Sequence, residues 1–266
     1  MRSAPSVAAL ARRDRIVIAS CILLVCAIAW AYLLHLNRQM ASEAAEATSM
    51  MEMGMRMDAP WRAADVFFTY AMWAVMMVGM MGASVAPVLL LFAATHARRA
   101  DHGAWAAVPL FGLGYLTVWV GFSACATLAQ WGLHQAALLS PMMATASPRL
   151  AGALLIAAGA YQLTPLKRAC LTHCQSPLGF LMSHWRDGAV GAFQMGLRHG
   201  IYCLGCCWAL MVVLFAVGVM NLAWVAVLTA FILVEKMGGT GAHVARIGGV
   251  LLIGLGILFF TPALGP

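Results

Sequence analysis

Long apolar runs separated by short polar segments make up most of this chain. The first run, residues 16–36, follows a cluster of arginines and contains 21 residues without a charged side chain. At ~1.5 Å per residue, a helix of this length reaches about 31 Å, enough to cross the ~30 Å hydrocarbon core of a bilayer. Because a signal peptide has a shorter apolar core, of about 7–15 residues, the pattern indicates an uncleaved membrane anchor.

Six further runs have the same character, and the pattern predicts an all-α, polytopic helical membrane bundle with six or seven transmembrane helices. The runs are residues 66–95, 105–131, 150–163, 200–220, 222–234 and 247–261. The run 222–234 contains only 13 residues, which is about 20 Å of helix. This run crosses the bilayer fully only if Glu235 and Lys236 enter the boundary between lipid and water. Whether it does so decides between six and seven transmembrane helices.

The basic residues predict the orientation of the bundle. With the N-terminus in the cytoplasm, twelve of the 16 lysines and arginines fall on the cytoplasmic side, as the positive-inside rule requires. The chain then divides into three parts. These are a cytoplasmic N-terminus with the first transmembrane helix (residues 1–36), a methionine-rich periplasmic loop (37–65) and a helical membrane bundle (66–266) that carries the candidate metal site.

Composition excludes several classes of protein. Apolar residues make up 63% of the chain and charged residues 9%, whereas soluble domains average about 25% charged. A soluble, disordered or nucleic-acid-binding protein is therefore excluded. The net charge of +7 is spread between the apolar runs, where it marks topology and contact with anionic lipid in the bilayer.

The fifth apolar run carries the clearest chemical pattern. On a helical wheel, three cysteines lie near His199: Cys206 at about 20°, Cys203 at about 40° and Cys207 at about 80°. One narrow face thus presents an imidazole and three thiols, a soft site that suits Cu(I) or Zn(II). The alternative is a tight interface of small cysteines beside a hydrogen-bonded core histidine. Because ionisable groups within a membrane are functional by default, we favour a metal site.

A second cluster of donors lies in the predicted cytoplasmic loop after the fourth run. Cys170 and Cys174 are one helical turn apart, and His173 lies between them. Thiols in a cytosolic loop stay reduced, which favours metal or redox chemistry over a structural disulfide. The alternative is a loop with incidental thiols, since the spacing is looser than that of a Cys-x-x-Cys zinc pair.

Methionines are concentrated in two places. The external loop holds five methionines in the eight positions 50–57, and the second run places Met72, Met76 and Met80 within about 80° of one another. Thioethers are soft ligands for Cu(I), so Met76 and Met80 join the candidate metal ligands. The alternative for the methionine tract at residues 50–57 is a helix on the membrane surface. The alternative for the stripe of Met72, Met76 and Met80 is simple packing.

Glycine and charged positions near the ends of the last runs complete the pattern. Gly200 and Gly205, beside the cysteines, predict close approach by neighbouring helices. The glycine-rich segment 238–241 fits a broken helix that lines a site. Glu235 joins the candidate metal ligands as a carboxylate within an apolar run, and the alternative is a snorkelling pair that it forms with Lys236 at the membrane edge.

These residues resemble a bacterial family of unknown function whose members are described as predicted metal-binding integral membrane proteins. The resemblance rests on residues 73–81, 161–178, 200–211, 218–221 and 235–236. Its specific part is the string Cys203-Leu204-Gly205-Cys206-Cys207-Trp208. The resemblance implies a multi-pass protein of the bacterial inner membrane with a bound metal, and it implies no reaction.

Three functions remain compatible with these patterns. The first is an integral membrane protein that binds copper, as Cu(I), for transport or for delivery to a metal-accepting or redox protein partner; zinc and iron are the alternative metals. The second is a metal-dependent membrane oxidoreductase, or a subunit of one, acting on a phenolic or quinone-like substrate. The third is a thiol–disulfide relay. The sequence has no Walker motif and no aspartyl-phosphate segment, which argues against active pumping by this chain alone.

Overall fold

The computed structural model describes residues 11–52, 61–98, 104–136, 138, 145 and 147–260, with the backbone alone for residues 43–52, 98, 104 and 105. The nine elements within these ranges are all helices. In chain order they are α1 (Arg12–Glu52), α2 (Ala63–Arg98), α3 (Ala104–Gln135), α4 (Pro148–Gln162), α5 (Pro165–Gln175), α6 (Pro177–His184), α7 (Gly188–Val217), α8 (Leu222–Lys236) and α9 (Gly241–Leu258).

Five of these helices contain segments long and apolar enough to cross a membrane. The segments are Arg12–Ser42, Ala63–Ala97, Ala106–Gln135, Gly188–Val217 and Gly241–Leu258, which lie in α1, α2, α3, α7 and α9. The prediction of an all-α helical bundle is therefore confirmed. The fourth and sixth apolar runs form α4 and α8, which have 15 residues each, or about 22 Å of helix. The count of six or seven crossings stays a prediction.

The first helix extends beyond its apolar run. The periplasmic loop is predicted from residue 37, but α1 remains helical as far as Glu52. The segment 40–52 is rich in Ala, Glu and Met, which are strong helix formers, and this composition explains the extension. In the methionine tract, the side chains of residues 50–52 and all of residues 53–57 lie outside the described residues. Its role as a copper-collecting site stays a prediction.

The helix that carries the cysteine string, α7, packs most extensively against α3. Glycine makes this possible, because a Cβ at Gly196 would collide with the Phe111 carbonyl of α3. One turn further along α7, a Cβ at Gly200 would lie 2.8 Å from Val118 Cγ2. The prediction that Gly200 admits a neighbouring helix is confirmed. The close backbone contact fixes the rotation of α7 and hence the direction in which its cysteines point.

A second close pair consists of α4 and α9, which meet at Gly152 and Gly159 of α4 and at Gly249 and Gly256 of α9. A Cβ at Gly152 would lie 2.8 Å from the Gly256 carbonyl oxygen, and a Cβ at Gly159 would lie 2.6 Å from the Gly249 carbonyl oxygen. Small residues at matched positions let two helix backbones meet in an environment where apolar burial alone gives little driving force. The short helix α4 is thereby packed along the longer α9.

Two short helices link α4 to α7. In α5, the Thr164 side chain accepts a hydrogen bond from Lys167 N at 3.2 Å, and Pro165 occupies the first turn, a sequence that favours a helix start. Ser176 and Pro177 begin α6 in the same order. Because α5 packs against α7, the predicted cytoplasmic loop is a pair of helices that brings its two cysteines onto the bundle.

Candidate metal centre

Three thiols of α7 lie in the interior of the bundle. Cys203, Cys206 and Cys207 are each 1% exposed. The Sγ of Cys206 donates a hydrogen bond to the Cys203 carbonyl at 3.1 Å, and the Sγ of Cys207 donates to the same carbonyl at 2.8 Å. The shared direction of the cysteines that the wheel predicts is therefore an inward one. The three cysteines belong to the buried apolar core, and they also have sulfur or polar neighbours on four other helices.

The first of these neighbours is a thioether from α2. Met81 Sδ lies 3.9 Å from Cys207 Sγ. A metal–sulfur bond is about 2.3 Å long, so two sulfurs at this separation can bind one ion. Among the residues that the structure describes, no three side chains of His, Cys, Asp or Glu already form a metal-holding group. The contact described here is therefore a pair of sulfur atoms, the thiol of Cys207 and the thioether of Met81.

Two hydroxyl groups approach the cluster from α2 and α3. Tyr115 Oη lies 3.1 Å from Cys203 Sγ and donates to the Met81 carbonyl at 3.2 Å. Ser84 Oγ lies 3.1 Å from the same Tyr115 oxygen and 3.9 Å from Cys203 Sγ. In the contacts with Cys203 Sγ either atom can be the donor, because each hydroxyl has one proton and both hydroxyls are also placed to donate to the Met81 carbonyl. The hydroxyls also fix the position of Cys203 relative to Met81.

A lysine completes the surroundings of Cys203. The Lys236 ammonium, at the end of α8, lies 3.0 Å from Cys203 Sγ and 3.2 Å from Ser84 Oγ. It also lies 3.9 Å from Met81 Sδ. The interpretation of Lys236 as a snorkelling residue does not describe these contacts, since the ammonium points into the bundle.

The second predicted cluster lies on the outer side of the first. Cys174 Sγ of α5 is 3.8 Å from Cys206 Sγ of α7. A Cβ at Gly205 would lie 2.7 Å from Cys170 Sγ, so the missing side chain lets α5 approach, as the glycine pattern predicts. Contacts with the Cys203 and Cys206 thiols raise the pKa of Cys174 well above its usual value. Burial raises the pKa of Cys170, and the charge of Cys206 adds to the effect.

The two predicted histidine ligands have different surroundings. His199 is 2% exposed, its ring centroid lies 5.0 Å from that of Phe180 and 5.9 Å from that of Tyr115, and its Nδ1 has no hydrogen-bond partner among the described residues. His173 is partly exposed, stacks on Tyr202 at 4.2 Å and bonds to the Ala169 carbonyl at 2.8 Å. The buried Nδ1 of His199 has no partner among the described residues, whereas Nδ1 of His173 is engaged by the Ala169 carbonyl.

The predicted ligand Glu235 lies in a separate polar group. Its carboxylate is 2.8 Å from the Lys167 ammonium and accepts a hydrogen bond from Gln162 Nε2 at 3.1 Å. Gln175 donates to the Glu235 carbonyl at 2.8 Å. Lys167 and Glu235 are 0% and 1% exposed. This buried pair ties α5 to α8 next to Lys236, and the role of Glu235 as a metal ligand stays a prediction.

The methionines of α2 show what the pattern could not resolve. Met76, Met77, Met80 and Met81 are all 0% exposed, whereas Ala74, Val75 and Val78 at the same level are partly exposed, so one broad face of α2 is buried. A wheel alone cannot tell which of four buried methionines faces the cysteines. Helical spacing predicts the stripe that includes Met76 and Met80, and the thioether in contact with a thiol belongs to Met81. Met76 and Met80 belong to the same buried cluster as Met81 and the three cysteines, and their role as ligands stays a prediction.

A cavity of about 320 Å³ opens where α6 meets α7, and its lining includes His184, Arg186, Arg198 and Met195. Met195 is 1% exposed and lies one helical turn before His199 on the same face of α7. The cavity therefore adjoins the row of donors that leads to the cysteines.

Residues 70–259 match one family model, described as PpoB2: copper chaperone. The matched region contains the cysteines of α5 and α7, together with Met81 and Lys236, while the methionine tract lies before it. No curated protein and no solved structure matches the chain.

Proposed function

The chain belongs to the PpoB2 copper chaperone family, and from this premise we propose that it holds Cu(I) among its buried sulfur atoms and delivers it to an accepting protein. The holding site consists of Cys203 and Cys207 of α7 with Met81 of α2. His199 is an adjacent donor on the same helix face. Cys206, Cys174 and Cys170 form a path from this site to the edge of the bundle, where His173 is the outermost donor.

The type of donor supports copper over the alternative metals. Thiolate and thioether sulfur select Cu(I), whereas carboxylate and carbonyl oxygens suit Mg, Ca or Mn. The carboxylate of Glu235, next to Lys236 in sequence, forms an ion pair with Lys167 at 2.8 Å. Zinc favours four ligands in a closed tetrahedron when its role is structural. Two thiols and one thioether supply fewer strong ligands, which suits an ion that must be released.

The single observation that carries the proposal is the contact between the two cysteine clusters. Cys203, Cys206 and Cys207 are almost fully buried, whereas Cys170 and Cys174 are partly exposed, and the 3.8 Å separation of Cys174 from Cys206 joins them. An ion can therefore change ligands from buried to exposed sulfur without leaving sulfur coordination. Ligand exchange of this kind is how a soft ion moves between sites of similar strength.

The membrane context of the proposal follows from the sequence pattern. We propose that the chain lies in a bacterial inner membrane with its N-terminus in the cytoplasm, because the basic residues concentrate on one side of the apolar runs. The methionine tract at residues 50–57 would then collect copper on the periplasmic side. The α5–α6 pair would lie on the cytoplasmic side and face the accepting protein.

The test of the proposal is copper retention by the purified full chain in lipid nanodiscs. The protein is loaded with Cu(I) under anaerobic, reducing conditions, separated from excess metal and analysed for copper. We expect the unmodified protein to retain copper stoichiometrically and a Cys203→Ser, Cys207→Ser variant to lose it. The matched control is Cys21→Ser, Cys125→Ser, which removes two exposed thiols elsewhere and should retain copper fully.

Two results would overturn the proposal. Equal copper content in the Cys203/Cys207 variant and the control would show that this helix face does not hold the ion. Failure of the unmodified protein to retain any copper, combined with redox-dependent alkylation of Cys203 and Cys207, would favour the thiol–disulfide relay. Delivery is distinguished from transport with copper-loaded liposomes, because delivery requires an accepting chelator and produces no net flux across the bilayer.

A further inference from the structure

The ammonium of Lys236 lies among the sulfur atoms of the candidate site. It contacts Cys203 Sγ at 3.0 Å and approaches Met81 Sδ at 3.9 Å, which in turn is 3.9 Å from Cys207 Sγ. Lys236 is partly exposed, whereas Lys167 is fully buried and paired with Glu235. The Lys236 ammonium has no carboxylate within ion-pair distance among the residues that the structure describes. Its charge is therefore free to balance charge on the thiols.

The charges of the loaded site depend on the valence of the ion. A metal binds cysteine as thiolate, so two cysteine ligands carry a charge of −2. With a monovalent ion the site carries −1, and the lysine brings the sum to zero. With a divalent ion the two thiolates are already neutralised, and the lysine leaves an excess of +1. An uncompensated charge in a low-dielectric interior is costly, whereas a compensated one is tolerated.

We propose that Lys236 is the counter-cation of the metal site and makes it selective for monovalent soft ions over divalent ones. The inference rests on the proposed function, since it takes Cys203 and Cys207 as the ligands. Lys236 touches the ligand sulfur and does not bind the ion. Its orientation depends on the neighbouring Glu235–Lys167 pair, which holds the end of α8 against α5.

The test compares one monovalent and one divalent soft ion on the full chain in nanodiscs. Silver(I) serves as a redox-stable monovalent probe and cadmium(II) as the divalent probe, and the affinity of each is measured by competition with a chelator. The variants are Lys236→Met, which removes the charge, Lys236→Gln, which removes the charge but keeps hydrogen bonding, and Lys236→Arg, which keeps the charge. Arg246→Met is the matched control, because it removes one positive charge from an exposed position on α9.

We expect Lys236→Met and Lys236→Gln to weaken silver binding several-fold or more, because the buried Cys203 loses the ammonium that lies 3.0 Å from its sulfur. Cadmium binding should stay unchanged or become tighter in the same variants. Lys236→Arg and Arg246→Met should keep the silver-to-cadmium ratio of the unmodified protein. If one uncharged variant does not fold, the other supplies the measurement. The ratio of silver to cadmium affinity in Lys236→Arg then still tests whether the charge at position 236 sets the selectivity.

A purely structural role for Lys236 predicts a different result. In that case the uncharged variants would weaken silver and cadmium binding equally, and the inference would be wrong while the copper site remained. A changed ratio in Lys236→Arg, where the charge is kept, would also contradict it. If the unmodified protein bound neither ion, the proposed function itself would fail, and this inference with it.

Discussion

Cys174 and Cys206 belong to different helices, and their sulfur atoms lie 3.8 Å apart. This separation is longer than the ~2.05 Å of a disulfide, yet it is within the span of two metal–sulfur bonds of about 2.3 Å. Cys206 is almost fully buried, and Cys174 is partly exposed. The pair therefore spans the boundary between the interior of the bundle and its edge, and it defines the step at which a bound ion would leave.

The first prediction concerns this exit step. Replacing Cys174 with Ser removes the outer sulfur but leaves Cys203, Cys207 and Met81 in place. We expect the variant to retain copper at equilibrium and to release it several-fold more slowly to an added Cu(I) chelator. The measurement is the stopped-flow absorbance of the chelator complex, with protein in nanodiscs.

Cys125→Ser is the control for this experiment, because it removes an exposed thiol of α3. Release from this control should match that of the unmodified protein. If Cys174→Ser releases copper at the unmodified rate, the path through α5 is wrong. If it loses copper at equilibrium, Cys174 belongs to the holding site and not to the exit.

The sequence predicts the face of α7 well, because four donors on one narrow helix face need no tertiary information to be grouped. It does not predict which charged neighbour joins them. Glu235 and Lys236 are adjacent and therefore point about 100° apart on a helix. The rotation of α8 decides which one faces the cysteines, and contacts with Lys167 and Gln162 set that rotation. The pattern selects Glu235, whereas the structure puts Lys236 beside Cys203.

The joining of the two cysteine clusters is also a tertiary result. Cys170 lies in the predicted cytoplasmic loop, whereas Cys206 lies in the fifth apolar run. The approach of α5 to α7 depends on the small residue Gly205, whose Cβ would lie 2.7 Å from Cys170 Sγ. A glycine in an apolar run signals that some helix approaches, but it does not identify that helix. The pairs Thr164-Pro165 and Ser176-Pro177 are typical of helix starts, but they do not give the direction of the helices that follow.

The second prediction concerns the buried ion pair. Lys167→Met leaves the Glu235 carboxylate buried without its partner, and we expect a loss of about 3–5 kcal/mol in stability. Replacing both residues, as Lys167→Met with Glu235→Leu, should restore much of this loss because no buried charge remains. The measurement is the apparent melting temperature in detergent, determined by size-exclusion chromatography of heated samples. A double variant as unstable as Lys167→Met alone would contradict the account.

The third prediction concerns the glycine contact between α4 and α9. A Cβ at Gly249 would lie 2.9 Å from the Gly159 carbonyl oxygen, which is backbone and cannot move aside cheaply. We expect Gly249→Ala to cost about 1–3 kcal/mol through overpacking. At Gly254 of the same helix, an added Cβ meets nothing within 4 Å. Gly254→Ala should therefore be neutral or stabilising, and equal melting temperatures for the two variants would show that the close approach is unimportant.

The fourth prediction concerns the pH dependence of Cys170 alkylation. Burial raises the pKa of this thiol, and the neighbouring Cys206 adds to the rise. Because the thiolate is the reactive form, a raised pKa means a smaller thiolate fraction at any given pH below it. The alkylation rate of Cys170, followed by peptide mass spectrometry in the metal-free protein, should therefore reach its midpoint at a higher pH than a free thiol of pKa about 8.5. Cys206→Ser should lower this midpoint without abolishing the shift, since burial remains. A midpoint at or below that of the free thiol would show that Cys170 is solvated, and α5 would then not lie against α7 as described.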